Sequence, residues 1–287
     1  MTVQLGVLLA VACALFTNLG FLYKHRGARA AADVDWRRPV GSAAGLFRSR
    51  WFALGMLVAL GAWVLHVAAL ALAPLSVVQA VISGGLVFLA VLAERVFGFR
   101  IGRRQWLGIG LTALGLVLLT ATLPSTAGTD ASYSAAAMIA FEAGLLSVGM
   151  LFLILWPRLG AAHQHHALLL ATVAGVLFGV SDVAIKALTG AVADSGALGL
   201  LSPWLATCAL ASVVAFYASA RGLQKGEAVP VITLTSASAN VASITGGLVV
   251  FGDAPSDPVG IVLQGLAFLL VIVAAALMPA PVRVATA

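Results

Sequence analysis

Four ionisable side chains stand inside long apolar stretches of this chain: His66, Glu142, Asp182 and Lys186. A charge taken out of water is costly unless it faces a cavity or a partner, so each such group points to work on an ion or a proton. Glu142 has no basic residue three or four positions away, and a carboxylate so placed can hold a cation or carry a proton. Asp182 and Lys186 are four apart, a helical spacing at which they could equally neutralise one another. His66 could relay a proton or be a hydrogen-bonded interior histidine. Thr233, Ser236, Asn240, Ser243 and Gly247 fall on one helical face, suited either to lining a polar pathway or to close helix packing. Gln79 is a further polar group within an apolar stretch.

The elements that must position these residues are membrane helices. Hydrophobic residues make up 62% of the 287 positions, charged residues 9%, and mean hydropathy is +1.09; a soluble domain carries about 25% charged residues. Uncharged runs of about twenty residues can cross a hydrocarbon layer of roughly 30 Å. The pattern predicts an all-α polytopic membrane protein with nine transmembrane helices, at about 3–23, 51–73, 75–93, 105–123, 134–156, 166–187, 203–221, 228–252 and 258–278. His66 then falls in the second span, Gln79 in the third, Glu142 in the fifth, Asp182 and Lys186 in the sixth, and the polar stripe in the eighth. At 1.5 Å per residue His66, Glu142 and Asp182 share a depth of roughly 8–12 Å below one surface.

Charge fixes an expected orientation. With the N-terminus outside and the C-terminus inside, 16 Lys and Arg less Lys186 alone fall on the cytoplasmic side, while Asp130, Asp194, Asp253 and Asp257 fall outside. Basic residues beside short loops set topology in this way. The run 24–50 is the longest loop on this reading, and the basic cluster Arg100, Arg103 and Arg104 belongs to orientation and to an anionic lipid surface. The net charge of +6 is therefore topological, and no nucleic-acid partner is expected.

Two halves are visible. Ser83-Gly84-Gly85-Leu86-Val87 reappears 162 positions later as Thr245-Gly246-Gly247-Leu248-Val249, and Phe16 and Lys24 recur at that offset as Phe178 and Lys186. Spans one and six, like three and eight, are five apart and so run in opposite directions. This predicts one transmembrane domain over 1–287, with a first repeat of four helices (1–123) and an inverted second repeat of five (134–278). Gly84, Gly85, Gly246 and Gly247 are expected to allow close helix packing and to face one another across the repeat axis. In the sixth span Gly175, Gly179, Asp182 and Lys186 form one face that must point into the bundle.

The stretches APLSVVQAV, WLGIGLTALGLVLL and KGEAVPVITLTSASANVASITGGLVVFGD resemble the drug/metabolite transporter superfamily, EamA-like. Within it, the nine-helix layout and the segments TNLGFLYKHRGA, LFLILWPRLG and FGVSDVAIKALTG are similar to the NIPA-type magnesium transporters. That family carries an acidic residue and an asparagine late in its second helix, where this chain has Trp63 and His66. The resemblance implies a multi-pass protein of the plasma membrane. It implies a secondary transporter of a small polar or amphipathic solute, with Glu142 and Asp182 taking up protons. Its alternative is a Mg²⁺ transporter, in which Glu142 and Asp182 would be the metal ligands.

Other chemistry is not expected. Cys13 and Cys208 both fall in spans and suggest neither disulfide nor metal site. Gly108-x-Gly110 lies inside a span, His163, His165 and His166 read as a solvated turn, and there is no nucleophile–base set. An enzyme and a bound cofactor are both unexpected; a non-transporting structural bundle and a homodimer are left open.

Overall fold

The computed structural model describes residues 2–72, 81–122, 133–155, 163–252 and 257–277, and every regular element among them is helical. In chain order these are α1 (Thr2–Ala30), α2 (Pro39–Arg48), α3 (Arg50–Leu72), α4 (Leu86–Arg95), α5 (Arg103–Ala121), α6 (Ala135–Leu155), α7 (His163–Ser195), α8 (Pro203–Lys225), α9 (Ala228–Val250) and α10 (Pro258–Leu277), with a 3₁₀ turn at Gly196–Leu201. Among the described residues five helices are long and apolar enough to cross a membrane, α1, α6, α7, α8 and α9, and a sixth if the bent pair α2 and α3 is one span. The chain is an integral, multi-pass membrane protein.

Packing follows the small residues. α1 lies along α3, where a side chain on Gly20 would stand 3.1 Å from the Gly55 carbonyl. α7 packs on both α8 and α9, α5 on α10, α1 also on α4, and α4 touches α9. A side chain on Gly179 of α7 would stand 2.5 Å from Ala242 Cβ of α9, and one on Gly115 of α5 would stand 3.0 Å from the Ala267 carbonyl of α10. Backbones brought this close gain dispersion contacts that larger residues would forbid. Many large apolar side chains point outward, among them Leu57, Trp63, Leu107, Ile139, Val262 and Ile272, as expected where lipid replaces water.

The structure departs from the sequence reading in four places. α1 runs past Tyr23 to Ala30, because the carbonyls at its end find a partner: buried Gln224 donates to Ala28 O (3.2 Å) and Ala32 O (2.9 Å) and accepts from Val34 N (3.0 Å). The basic segment 24–50 is not a loop, since α2 forms within it and meets the following helix at 93°. The third span is interrupted at Gly85, whose N–H is shared between Val81 O (3.0 Å) and Ile82 O (3.1 Å), while its carbonyl accepts from Asn18 Nδ2 (3.0 Å). A kink at a glycine pair is the expected cause. His163 to His166 open α7, whereas a turn is expected there.

The central glycines also pack otherwise than expected. Gly85 lies against Ala14 of α1, Gly84 against Val117 of α5, and Gly246 against Val183 of α7 and Phe141 of α6. The missing side chains of Gly85 and Gly246 let α1 and α7 approach, while Gly84 faces α5, so the nearest neighbours of these glycines are those helices and not each other.

Candidate functional site

Glu142 stands in the second turn of α6 and is only 3% exposed. Its polar neighbour is the Thr207 hydroxyl of α8, and its Oε1 is buried with no hydrogen-bond partner. Such an oxygen is costly to bury and is held ready for a proton, a cation or water. The next residue of α8, Cys208, lies 3.3 Å from Ser181 Oγ of α7, which also bonds Ser212 Oγ at 2.8 Å. Thr207, Cys208, Ser181 and Ser212 make a small polar seam where α7 and α8 meet.

Asp182 points the other way around α7. Its Oδ2 accepts from Ser243 Oγ of α9 at 2.9 Å, and its side chain stays accessible. Gly175 and Gly179 on the same face press against α9, where the closest atoms include Ser238 Cβ and Ala239 O. The face Gly175, Gly179, Asp182 therefore points into the bundle, toward α9. Lys186, one turn on, carries its ammonium over the Phe251 ring at 4.0 Å. Phe251 in turn packs on Tyr133, and the Trp204 indole N–H donates to the Tyr133 hydroxyl at 2.5 Å. This aromatic group joins the starts of α6 and α8 to the end of α9. The two carboxylates thus address different helices, Glu142 toward α8 and Asp182 toward α9.

The remaining candidates are placed as follows. Asn240 donates to Ser236 O within α9 (2.8 Å), and Thr233 is buried with Oγ1 unpartnered. His66 on α3 has Nδ1 buried without a partner. Gln79 lies outside the described residues. Among the described residues no three His, Cys, Asp or Glu gather as metal ligands. Asn18, buried in α1, is the residue sequence reasoning missed: its Nδ2 donates to Ala14 O (2.8 Å) as well as to the Gly85 carbonyl at the helix break. A lone carboxamide in an apolar run was the available signal.

At the far ends of α1 and α8 the bundle is tied shut. Buried His25 bonds Gly226 O at 3.2 Å, Gln105 donates to Glu227 Oε2 at 3.1 Å, and Tyr217 donates to Pro39 O at 2.8 Å. Asp33, in the turn after α1, meets Lys225 Nζ at 2.7 Å and Arg221 at 3.0 Å. The hydrogen bond from Lys225 holds the Asp33 carboxyl below the usual range against the opposing effect of burial, with help from the Arg221 and Lys225 charges.

A helical membrane bundle with an unsatisfied buried carboxylate is what comparison with known proteins must account for. The family model for the magnesium transporter NIPA matches residues 1–278. This chain belongs to the NIPA magnesium transporter family, and it is a membrane transporter. A probable magnesium transporter, NIPA9, from Arabidopsis thaliana is 24% identical over 95% of this chain and 81% of its own length. An uncharacterized protein of Corynebacterium glutamicum is 30% identical over 80% of each chain. No solved structure matches.

Proposed function

We propose that this NIPA-family protein carries Mg²⁺ across the membrane and that Glu142 is the carboxylate that receives the ion. The observation that carries the proposal is the partnerless Oε1 of a side chain 3% exposed, in a family whose model is a magnesium transporter. Mg²⁺ dehydrates reluctantly and is held through one or two carboxylates and several waters, so a three-ligand cage is not required. Thr207, Ser181 and Ser212 offer hydroxyls to such a hydrated ion, and Asp182 with Ser243 offers a second stop toward α9. Family membership thereby puts Mg²⁺ ahead of the proton-coupled organic solute expected from the sequence.

The proposed frame has nine spans in the plasma membrane, N-terminus outside and C-terminus inside, with an inverted repeat. Supporting the repeat, α1 packs on α3 as α7 packs on α8, α1 meets α4 as α7 meets α9, and α5 pairs with α10. Rocking of such halves gives alternating access. In this reading the ties around Gln224, Asp33 and Glu227 close the cytoplasmic end, and Glu142 is approached from outside. A ligand that binds the folded state raises its unfolding temperature. Detergent-purified protein should therefore be stabilised saturably by Mg²⁺ and not by equal ionic strength of a monovalent salt. Stabilisation by an organic solute and not by Mg²⁺ would sink the proposal.

A further inference from the structure

The sequence reading treats 24–50 as a basic loop, yet the structure puts a helix there at right angles to the next. If α3 crosses the bilayer, a helix at 93° to it lies along the membrane surface. α2 is built for that position. Val40, Ala44 and Phe47 fall at i, i+4 and i+7 and are all exposed, Val40 at 81% and Phe47 at 48%. Leu46 on the opposite side is buried in the bundle. An apolar stripe on a surface helix is costly in water and favourable at the boundary of headgroups and acyl chains. Trp36 precedes α2 and Trp51 follows it, both exposed, and tryptophan is the residue of that boundary.

Charge completes the pattern. Arg37 and Arg38 stand at the start of α2 and Arg48 and Arg50 at its end, all exposed. Among the described residues none of the four guanidinium groups has an ion-pair partner. The nearby carboxylates are committed: Asp33 to Lys225 and Arg221, and Asp35 Oδ1 to the backbone N–H of Arg37 (2.9 Å). We propose that α2 lies in the cytoplasmic headgroup layer as an interfacial anchor and that Arg37, Arg38, Arg48 and Arg50 hold anionic phospholipid headgroups. A guanidinium fork matches a phosphodiester, and four such charges around an immersed stripe complement an anionic lipid surface.

The anchor is also wired to the closed end of the bundle. Tyr217 of α8 donates to Pro39 O, Phe47 stacks on Phe216 with centroids 6.4 Å apart, and Trp36 leans on the Tyr217 ring. One to two turns further along α8 stand Arg221, Gln224 and Lys225, which tie down the segment after α1. Lipid bound at α2 therefore bears on the helix that carries these ties.

The test uses the full chain reconstituted in vesicles of phosphatidylcholine, with or without phosphatidylglycerol, either lipid brominated on its acyl chains. The Trp36 signal is the difference between wild type and Trp36→Phe. It should be quenched by both brominated lipids, more by brominated phosphatidylglycerol, with the excess fading as salt rises. In detergent, native mass spectrometry should count retained phosphatidylglycerol, falling about fivefold for each arginine changed to glutamine. The fourfold arginine-to-lysine variant preserves insertion and should keep most of it. An unquenched Trp36 would overturn the proposal without recourse to any variant. Equal quenching by the two lipids would do the same. Undiminished phosphatidylglycerol in a folded fourfold glutamine variant would place the headgroups elsewhere, at Arg100, Arg103 and Arg104, and also overturn it.

Discussion

Replacing Gly179 with alanine should push α7 and α9 apart, and the size of the effect can be worked from the packing. The new Cβ would stand 2.5 Å from Ala242 Cβ and 2.8 Å from the Ala239 carbonyl oxygen. Neither atom can rotate away, because one is the first atom of its side chain and the other is backbone. Overpacking of this kind costs about 1–3 kcal/mol. Gly144 on α6 has nothing within 4 Å of the same hypothetical atom, so Gly144→Ala should only remove backbone freedom and gain about 0.5–1 kcal/mol. The two variants should therefore shift stability in opposite directions, by a difference of about 1.5–4 kcal/mol. Unfolding in detergent, followed by intrinsic fluorescence, reads this directly. Asp182 is three residues from Gly179, so its 2.9 Å bond to Ser243 should lengthen too and Mg²⁺ stabilisation should weaken in Gly179→Ala alone. If Gly179→Ala proved as stable as Gly144→Ala, α7 and α9 would not cross as described.

Three other outcomes are expected. Gln224→Leu leaves Val34 N, Ala28 O and Ala32 O without their partner and should cost about 2 kcal/mol or more, read by the same unfolding assay; an unchanged midpoint would refute the tie. Asp33 titrates below its ordinary value of 3.8, so its contribution is present above about pH 4 and is lost as pH falls through the lower folded value. The carboxylate is exposed, so the gain should be under about 1 kcal/mol, and the gap between wild type and Asp33→Asn should close on acidification; a gap that widens would contradict the sign. A reporter fused after Ala287 should read cytoplasmic, and an external signal would overturn the proposed orientation.

How far the sequence reached depended on whether the determining contacts were local. Helices were legible because twenty uncharged residues can do little else in lipid, and the shared face of Gly175, Gly179, Asp182 and Lys186 was legible because it follows from helical period alone. The break at Gly85 was not, since it depends on Asn18, 67 positions away. The extension of α1 was hidden for the same reason: the carboxamide that caps it is Gln224, 196 positions from Ala28. α2 was lost because a short helix rich in alanine and glycine between arginines looks like a loop until its angle to α3 is known. Glu142 stands out in the sequence as a candidate by its lack of a local basic neighbour, whereas its contact with Thr207 and the seam from Cys208 to Ser212 needed the packing of the helices.

The central claim rests on Glu142 as a cation ligand, and one measurement addresses it most directly. Wild-type protein and Glu142→Gln are reconstituted into liposomes enclosing a Mg²⁺ indicator, and net uptake and isotope exchange of Mg²⁺ are followed in the same preparation. If the carboxylate meets the ion, wild type should show saturable uptake, and Glu142→Gln should lose uptake and exchange together, because both need the ion bound. Exchange that survives while gradient-driven uptake is lost would make Glu142 a proton site, and wild-type rates in both modes would contradict the account.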